Sequence, residues 1–434
     1  MNRGKADWIL GVNVAGHGSS ICLLHHGKIV FFIKEERITA IKRDFGMPMV
    51  SIDRVTEYTK KLDWVIFANT DGVDQRLIKT CIEKNGIEVD HFFQDEPHTT
   101  DYFDEYAHES DPELLVRNKG STHHINHAAS SYYYSPFDEA TVVVMDGWGH
   151  VGNLVTMLDD DMYDGMDNVG HRLFEHVSIF SKILDNTSWE NQWELLYKEV
   201  STDGYRASEY EDVLGGWGDM EDILKDYYEN TIGFSNLRLA STVSAGVMYE
   251  SVTGYLGHRV ENVGKIMGMA PYGKEDKNLP PLLVGPNLDS NANLFNPTLL
   301  LNDVVYPELK EYKDNFDKSV NLAYAVQKAL EEKVIFVIEK AMKLNDCKNI
   351  ALGGGVFHNI MVNGMLVEKY PDYNFFADPL CDDSGHSYGG AKLLYDQITL
   401  NHVKEHRDDV YLGHSYDVKK LESRVRKYIK KFTQ

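Results

Sequence analysis

The feature that most constrains this chain is a device that occurs twice: an apolar run, a glycine-bearing turn, then a second apolar run. The first copy reads 8–13, then Val14-Ala15-Gly16-His17-Gly18-Ser19-Ser20, then 21–25, with Gly27-Lys28 as a tight turn before 29–35. The second reads 140–145, then Asp146-Gly147-Trp148-Gly149, then 153–158. Short apolar runs bounded by glycine read as buried strands. Glycine admits the backbone conformations that point successive N–H groups inward. Two such turns at the ends of buried strands therefore read as paired phosphate loops, built on Gly16, Gly18, Ser19, Gly147 and Gly149.

The rest of the chain supplies the helices. Residues 321–344 set Leu322, Ala325, Val326, Ala329, Leu330, Val334, Ile335 and Ile338 on one side of an amphipathic helix. It leads into a strand at 349–352, the turn Gly353-Gly354-Gly355, which is placed to pass close to a nucleoside, and a second helix through Asn359 and Asn363. Helix, buried strand, glycine turn, helix is α/β architecture. A polar helix is expected at 52–61, a strand at 64–68, a helix at 123–134 ended by Ser135-Pro136, and helical structure at 237–256. Residues 159–236 are acidic, rich in Trp, Tyr and Gly and weakly periodic, and read as an elaboration. A basic helix is expected at 418–431.

Composition excludes several classes. A formal charge of −23 repels phosphate backbones, so sustained binding to a nucleic-acid duplex is not expected, although one nucleotide in a local pocket is compatible with it. The four cysteines (Cys22, Cys81, Cys347 and Cys381) show no C-x-x-C spacing, against a disulfide framework or a cysteine zinc site. No apolar run reaches the roughly 18 residues that cross a bilayer and no signal-peptide pattern opens the chain, so it reads as cytoplasmic, with no membrane partner.

His123 and His127 stand four apart on the expected helix, so both rings leave one face and can grip one metal ion. The natural third ligand is Asp146, a carboxylate ending a buried strand. A fourth candidate is Asp383 in Pro379-Leu380-Cys381-Asp382-Asp383-Ser384-Gly385, with Asp382 beside it as the competing choice. Two imidazoles and two carboxylates suit iron(II), manganese or zinc. Lys265, in Gly264-Lys265-Ile266-Met267-Gly268, is a cation among small and apolar residues that either snorkels to solvent or meets an anion in a cleft.

Taken together, the stretches ILGVNVAGHGSS, KEERITAIKRDFGMP, HHINHAASSYYYSPFDEATVVVMDGWG, YESVTGYLGHRVENVGKIMGMAPYG, NLAYAVQKALEEKV, IALGGGVFHNIMVNG and PLCDDSGHSYGGA resemble, in order, the O-carbamoyltransferase family that includes the nodulation and cephalosporin/tobramycin carbamoylating enzymes. The resemblance implies a Kae1-like domain of the two-lobed actin-like ATPase (ASKHA) fold: first lobe 1–160, acidic insertion 161–236, second lobe 237–400, and a linker with the start of a C-terminal region at 401–434. It also implies an Fe(II)-type metal on His123, His127, Asp146 and Asp383. In such enzymes carbamoyl phosphate and ATP give carbamoyl adenylate in a YrdC-like domain, and the Kae1-like domain passes the carbamoyl group to an acceptor hydroxyl. His17 would be the base or orienting group at that hydroxyl, and Lys265 would face the nucleotide. The pattern leaves the family after Val410-Tyr411-Leu412-Gly413-His414, so the adenylate is expected from a longer parent chain or a YrdC-like partner. The acceptor is a small molecule or nucleotide, in a pocket expected to be lined by 159–236. Two further readings are a relative of the Kae1-like proteins that modify tRNA with threonylcarbamoyl, and a non-catalytic nucleotide-binding subunit that regulates a partner.

Overall fold

Strand β1 (Trp8–Asn13) is buried along nearly its whole length, as its apolar run requires of a strand covered on both faces. The computed structural model describes residues 5–14, 18–42, 44, 46–68, 75–94, 123–153, 172–183, 193–202, 229, 235–240, 243–259, 262–291, 294, 309–404, 410–413 and 418–432. β1 pairs antiparallel with β2 (Ser20–His25), which pairs antiparallel with β3 (Lys28–Lys34). Helices α1 (Glu36–Thr39) and α2 (Met49–Val55) lead to β4 (Lys61–Phe67), parallel to β1, and α3 (Gln75–Lys84) crosses to β5 (Glu88–Gln94), parallel to β4. The sheet order is β3-β2-β1-β4-β5.

The same plan recurs. After α4 (His123–Tyr134), β6 (Glu139–Asn153) pairs antiparallel with β7 (Arg172–Ile183), and β7 with β8 (Trp193–Thr202). The short β9 (Leu237–Leu239) extends that edge. Helices α5 (Ala245–Tyr255) and α6 (Val263–Met269), the hairpin β10 (Leu283–Val284) and β11 (Asp289–Ser290), and helices α7 (Lys310–Asp314) and α8 (Phe316–Leu344) follow. Then β12 (Asn349–Gly353) lies parallel to β6 and, beyond α9 (Ile360–Lys369), β13 (Asn374–Ala377) lies parallel to β12. Within the second sheet, β8-β7-β6-β12-β13 repeats the order and the strand senses of the first. This duplication is the two-lobed actin-like α/β fold. α10 (His386–Thr399) and the basic α11 (Val418–Phe432) close the chain as described.

Two helices join the sheets. α4 lies on β6 and β12, α10 lies on β1, β2 and β4, and the two pack on each other. Every residue of α4 is buried, which explains a helix carrying polar and aromatic residues all round. One apolar cluster runs from Ile9 and Ile66 through Ala128 and Ala391 to Val142 and Val144, and so spans both sheets. α2 and α3 cover the far face of the first sheet, α5 and α8 that of the second. Gly11 permits the closest approach: a Cβ there would lie 1.8 Å from the carbonyl oxygen of Ser387 in α10.

Several expectations need correction. Asp146-Gly147-Trp148-Gly149 is not a turn. β6 runs through it, and its ladder with β7 slips between Met145 and Gly149 and again between His150 and Gly152, so the glycines make bulges that bend one long strand. The expected return strand at 153–158 lies almost wholly outside the described residues, and the strand that pairs back is β7. The expected elaboration holds β7 and β8, two strands of the second sheet. Their pattern was disguised by charged residues buried as pairs, Glu175 with Lys198 and Glu199 with Lys333 and Arg238. The second sheet also takes β6 from within residues 1–160. The helix expected over 237–256 is β9 followed by α5, whose start is fixed by the Ser244 side chain accepting from the Val247 N–H. The helix expected at 52–61 ends at Val55, because Thr56 to Lys60 turn the chain into β4.

Candidate metal centre

The first turn of α4 places His123 and His127, β6 brings Asp146 beside them, and the turn after β13 together with the start of α10 brings Asp383 and His386. Asp146 Oδ2 lies 3.0 Å from His123 Nε2 and 3.4 Å from His127 Nε2. Asp383 Oδ1 lies 3.7 Å and 3.6 Å from the same two nitrogens. The His386 ring stands nearly perpendicular to both, with centroids 4.3 Å away. One ligand atom each from His123, His127, Asp383 and His386 falls within 4.8 Å of the others, all four residues being buried.

The electrostatics follow from burial against charge. Burial pushes His127 down, but hydrogen bonds and charges from Asp146 and Asp383 outweigh it and hold it up at about 10. His123 is raised for the same reasons, and the two imidazoles hold Asp146 well below the usual carboxylate range despite its burial. Burial, helped by the charges of His123 and His127, drives His386 far down, so it stays neutral. Neighbouring His124 is neutral too, pushed to about 3 by burial, with its Nδ1 2.8 Å from Ser178 Oγ. Both ring nitrogens of His386, and Nδ1 of His127, are buried with no hydrogen-bond partner among the described residues, while His127 Nε2 faces Asp146 and Asp383. Buried ring nitrogens are ordinarily paired, so the orphaned nitrogens of His386, beside two imidazoles that face carboxylates, fit a divalent cation. Imidazole with carboxylate is a donor set for iron(II), manganese or zinc.

The supporting contacts fix these groups. Asp146 Oδ1 accepts the Gly355 N–H at 3.1 Å, tying β6 to the turn after β12. Asp378, pushed up to about 6 chiefly by burial, accepts from Ser130 Oγ at 2.6 Å and from the Leu380 N–H at 2.8 Å, joining α4 to the turn that carries Asp383. Asp382 has other partners: it pairs with Lys34, lies 3.5 Å from His358, accepts the Ser384 N–H and lines the cleft that Asp146 also meets.

Asp146 also lines a cleft of about 340 Å³, together with Gly147, Gly355, Asn359, Lys34 and Lys42. Of the residues singled out in the sequence, Gly147, Gly355 and Asn359 therefore meet one cavity. Asn359 accepts the N–H groups of Met361 and Val362 and donates to Gln327, so it caps α9 as well as lining the cleft. Gly149 lies against the rings of His123 and His124, where a Cβ would come within 2.8 Å. Gly353 and Gly354 let β12 pass close to α4 and β6; Gly354, at φ +89°, leaves no room for a Cβ beside the Met145 carbonyl. Asn363 donates to the Phe357 carbonyl and Ser19 to that of Gly46. Gly18 has φ +140° and its carbonyl accepts from Asn13. Gly16 and His17 lie outside the described residues. Lys265 is exposed on α6 and does not line the cleft, whose wall there is Val263, Gly264 and Met267. His386 was missed by sequence reasoning; its position three residues after Asp383, at a helix start, was the available signal.

Residues 8–392 match the family model described as Carbamoyltransferase N-terminus. Protein sll1178 of Synechocystis sp. is 24% identical over 96% of this chain and 62% of its own length. Nodulation protein NolNO of Sinorhizobium fredii is 21% identical over 92% of this chain and 49% of its own. The chain thus spans between 49% and 62% of those two relatives. Among solved structures, HypF of T. kodakarensis aligns at 14% identity over 90% of this chain and 48% of its own, with a TM-score of 0.47. Among the described residues no helix is long and apolar enough to cross a membrane.

Proposed function

The chain belongs to the carbamoyltransferase family, and on that premise we propose that it moves a carbamoyl group from carbamoyl adenylate to a hydroxyl of a small-molecule or nucleotide acceptor. In this reading the adenylate is made from carbamoyl phosphate and ATP by a YrdC-like domain or partner chain. The observation that carries the proposal is the double placement of Asp146, against two buried imidazoles on one side and on the wall of the cleft on the other.

The donor set His123, His127, Asp146 and Asp383 would hold a divalent metal, Fe(II), Mn or Zn, which when bound would supply Lewis acidity toward a carbonyl or phosphoryl oxygen. The chain's own residues do the rest. The Gly355 N–H orients Asp146, and Asp378 holds the turn of Asp383 against α4. Gly147 and Gly355 let backbone come close to a ligand in the cleft, whose wall carries Lys34 and Lys42 among the carboxylates Glu36, Glu250 and Asp382, with Lys34 paired to Asp382. His17 serves as base or orienting group at that hydroxyl. Three residues further along the sequence, Ser20 Oγ donates to the Ser384 carbonyl at 2.8 Å, beside Asp383.

The test is incubation of the protein with Fe(II), ATP, carbamoyl phosphate, a YrdC-like protein and panels of hydroxylated acceptors. The expected result is an acceptor carrying the mass of one carbamoyl group. Hydrolysis of the donor with no acceptor modified in any panel would count against it.

A further inference from the structure

His386 is the one histidine of the cluster that neither the spacing on α4 nor the acidic turn predicts. It stands at the first residue of α10, fully buried. Its ring centroid lies 4.3 Å from those of His123 and His127, at interplanar angles of 77° and 78°, so its plane is nearly perpendicular to both. One of its ring nitrogens lies within 4.8 Å of the ligand atoms of His123, His127 and Asp383. Neither ring nitrogen has a hydrogen-bond partner among the described residues.

A histidine kept only for packing would normally give its N–H to a carbonyl, hydroxyl or carboxylate, since an imidazole left unpaired in the interior loses its hydration without return. Here both nitrogens are orphaned, and the space one of them faces is ringed by the other donors. We propose that His386 is a ligand of the metal, making the centre a three-imidazole site. The proposal rests on the metal reading above and deepens it by assigning a further donor. Three imidazoles raise the nitrogen share of the donor set, which moves preference from manganese toward iron(II), cobalt(II) and zinc. The ligand also links the lobes: α4 rests on the second sheet and α10 on the first, so a metal held by both is a tie across the interface between them.

The test uses Co(II), a spectroscopic probe of the same preference, on the full chain. Paramagnetic proton NMR of the Co(II)-loaded wild type should show three strongly shifted exchangeable imidazole N–H signals. His386→Thr should show two, with altered visible absorption of the cobalt and affinity weaker by about a hundredfold or more, while its Tm without metal stays near that of the wild type. Two signals in the wild type, or unchanged affinity and absorption in His386→Thr, would overturn the assignment of His386 and leave the other ligands standing. A wild type that takes up no Co(II) would overturn this assignment and the metal reading together. The wild-type signal count decides the matter even if His386→Thr fails to fold.

Discussion

His123 Nε2 lies 3.0 Å from Asp146 Oδ2, and the other oxygen of that carboxylate accepts the Gly355 N–H at 3.1 Å. One side chain thus connects the helix that carries the imidazoles, the bulged strand β6 and the turn that opens onto the cleft. Asp146→Asn keeps the shape and the Gly355 contact but removes the charge. It should weaken metal binding by about tenfold to a hundredfold and lower the Tm of the metal-free protein, because His123 and His127 lose the carboxylate that pairs with them. Asp138, exposed after α4, offers its backbone carbonyl to Tyr132 and is no member of the cluster, so Asp138→Ala should leave metal affinity and activity alone. Equal losses in the two variants, by metal titration, would contradict the assignment.

The raised pKa values of His123 and His127 belong to the metal-free protein. Because metal requires neutral imidazoles, uptake near pH 7.5 must release about one to two protons, and affinity should fall as pH is lowered. The sign for stability is opposite: His127, raised to about 10, contributes stability fully present below about pH 6.5 and lost as pH rises through 10. Metal-free protein should therefore lose Tm across that window and metal-loaded protein should not. Calorimetry in buffers of different ionisation enthalpy measures the protons. Uptake without proton release would contradict the site.

Gly354 tests the turn itself. With φ +89° and a Cβ position 2.3 Å from the Met145 carbonyl oxygen, Gly354→Ala should cost about 1–3 kcal/mol through strain alone and displace the Gly355 N–H from Asp146. Gly364, in α9 with open space around it, is the contrast: Gly364→Ala should stabilise by about 0.5–1 kcal/mol. Denaturant unfolding of both variants should show the opposite signs.

Glu199 accepts from Lys333 at 3.1 Å and pairs with Arg238 at 2.8 Å, all within the second sheet and its cover. Glu199→Ala leaves Lys333 without its carboxylate and Arg238 with Asp289 alone, and should destabilise by about 3–5 kcal/mol. Burial opposes the charge on Glu199, but Lys333 and Arg238 hold it down at about 2, so its stabilisation is present above about pH 4.5 and lost as pH falls toward 2. An acid-unfolding curve unaltered by the substitution would contradict this.

How much of this was legible in sequence depends on whether a residue's partner is local. The α4 pair His123 and His127, the first three strands and α8 follow from spacing and apolar runs, which act over a few residues. β7 and β8 were hidden because Glu175, Lys198 and Glu199 occupy buried positions and are neutralised by residues far away in the chain, an arrangement no periodicity reveals. The bulge in β6 looked like a turn because glycine marks both. His386 joins the site only through the packing of α10 on α4. Lys265 was drawn to the cleft by its motif, yet Gly264 and Met267 hold that wall.

The central claim is tested most directly by acceptor-dependent release of AMP from carbamoyl adenylate. The reaction is run with Fe(II)-loaded wild type and with the His123→Ala/His127→Ala double variant, and metal content is measured on the same samples. The account predicts about one metal per chain and carbamoylated acceptor matching AMP in the wild type, with neither in a double variant that remains folded. A double variant that keeps its metal, or that carbamoylates acceptor at the wild-type rate, would contradict it.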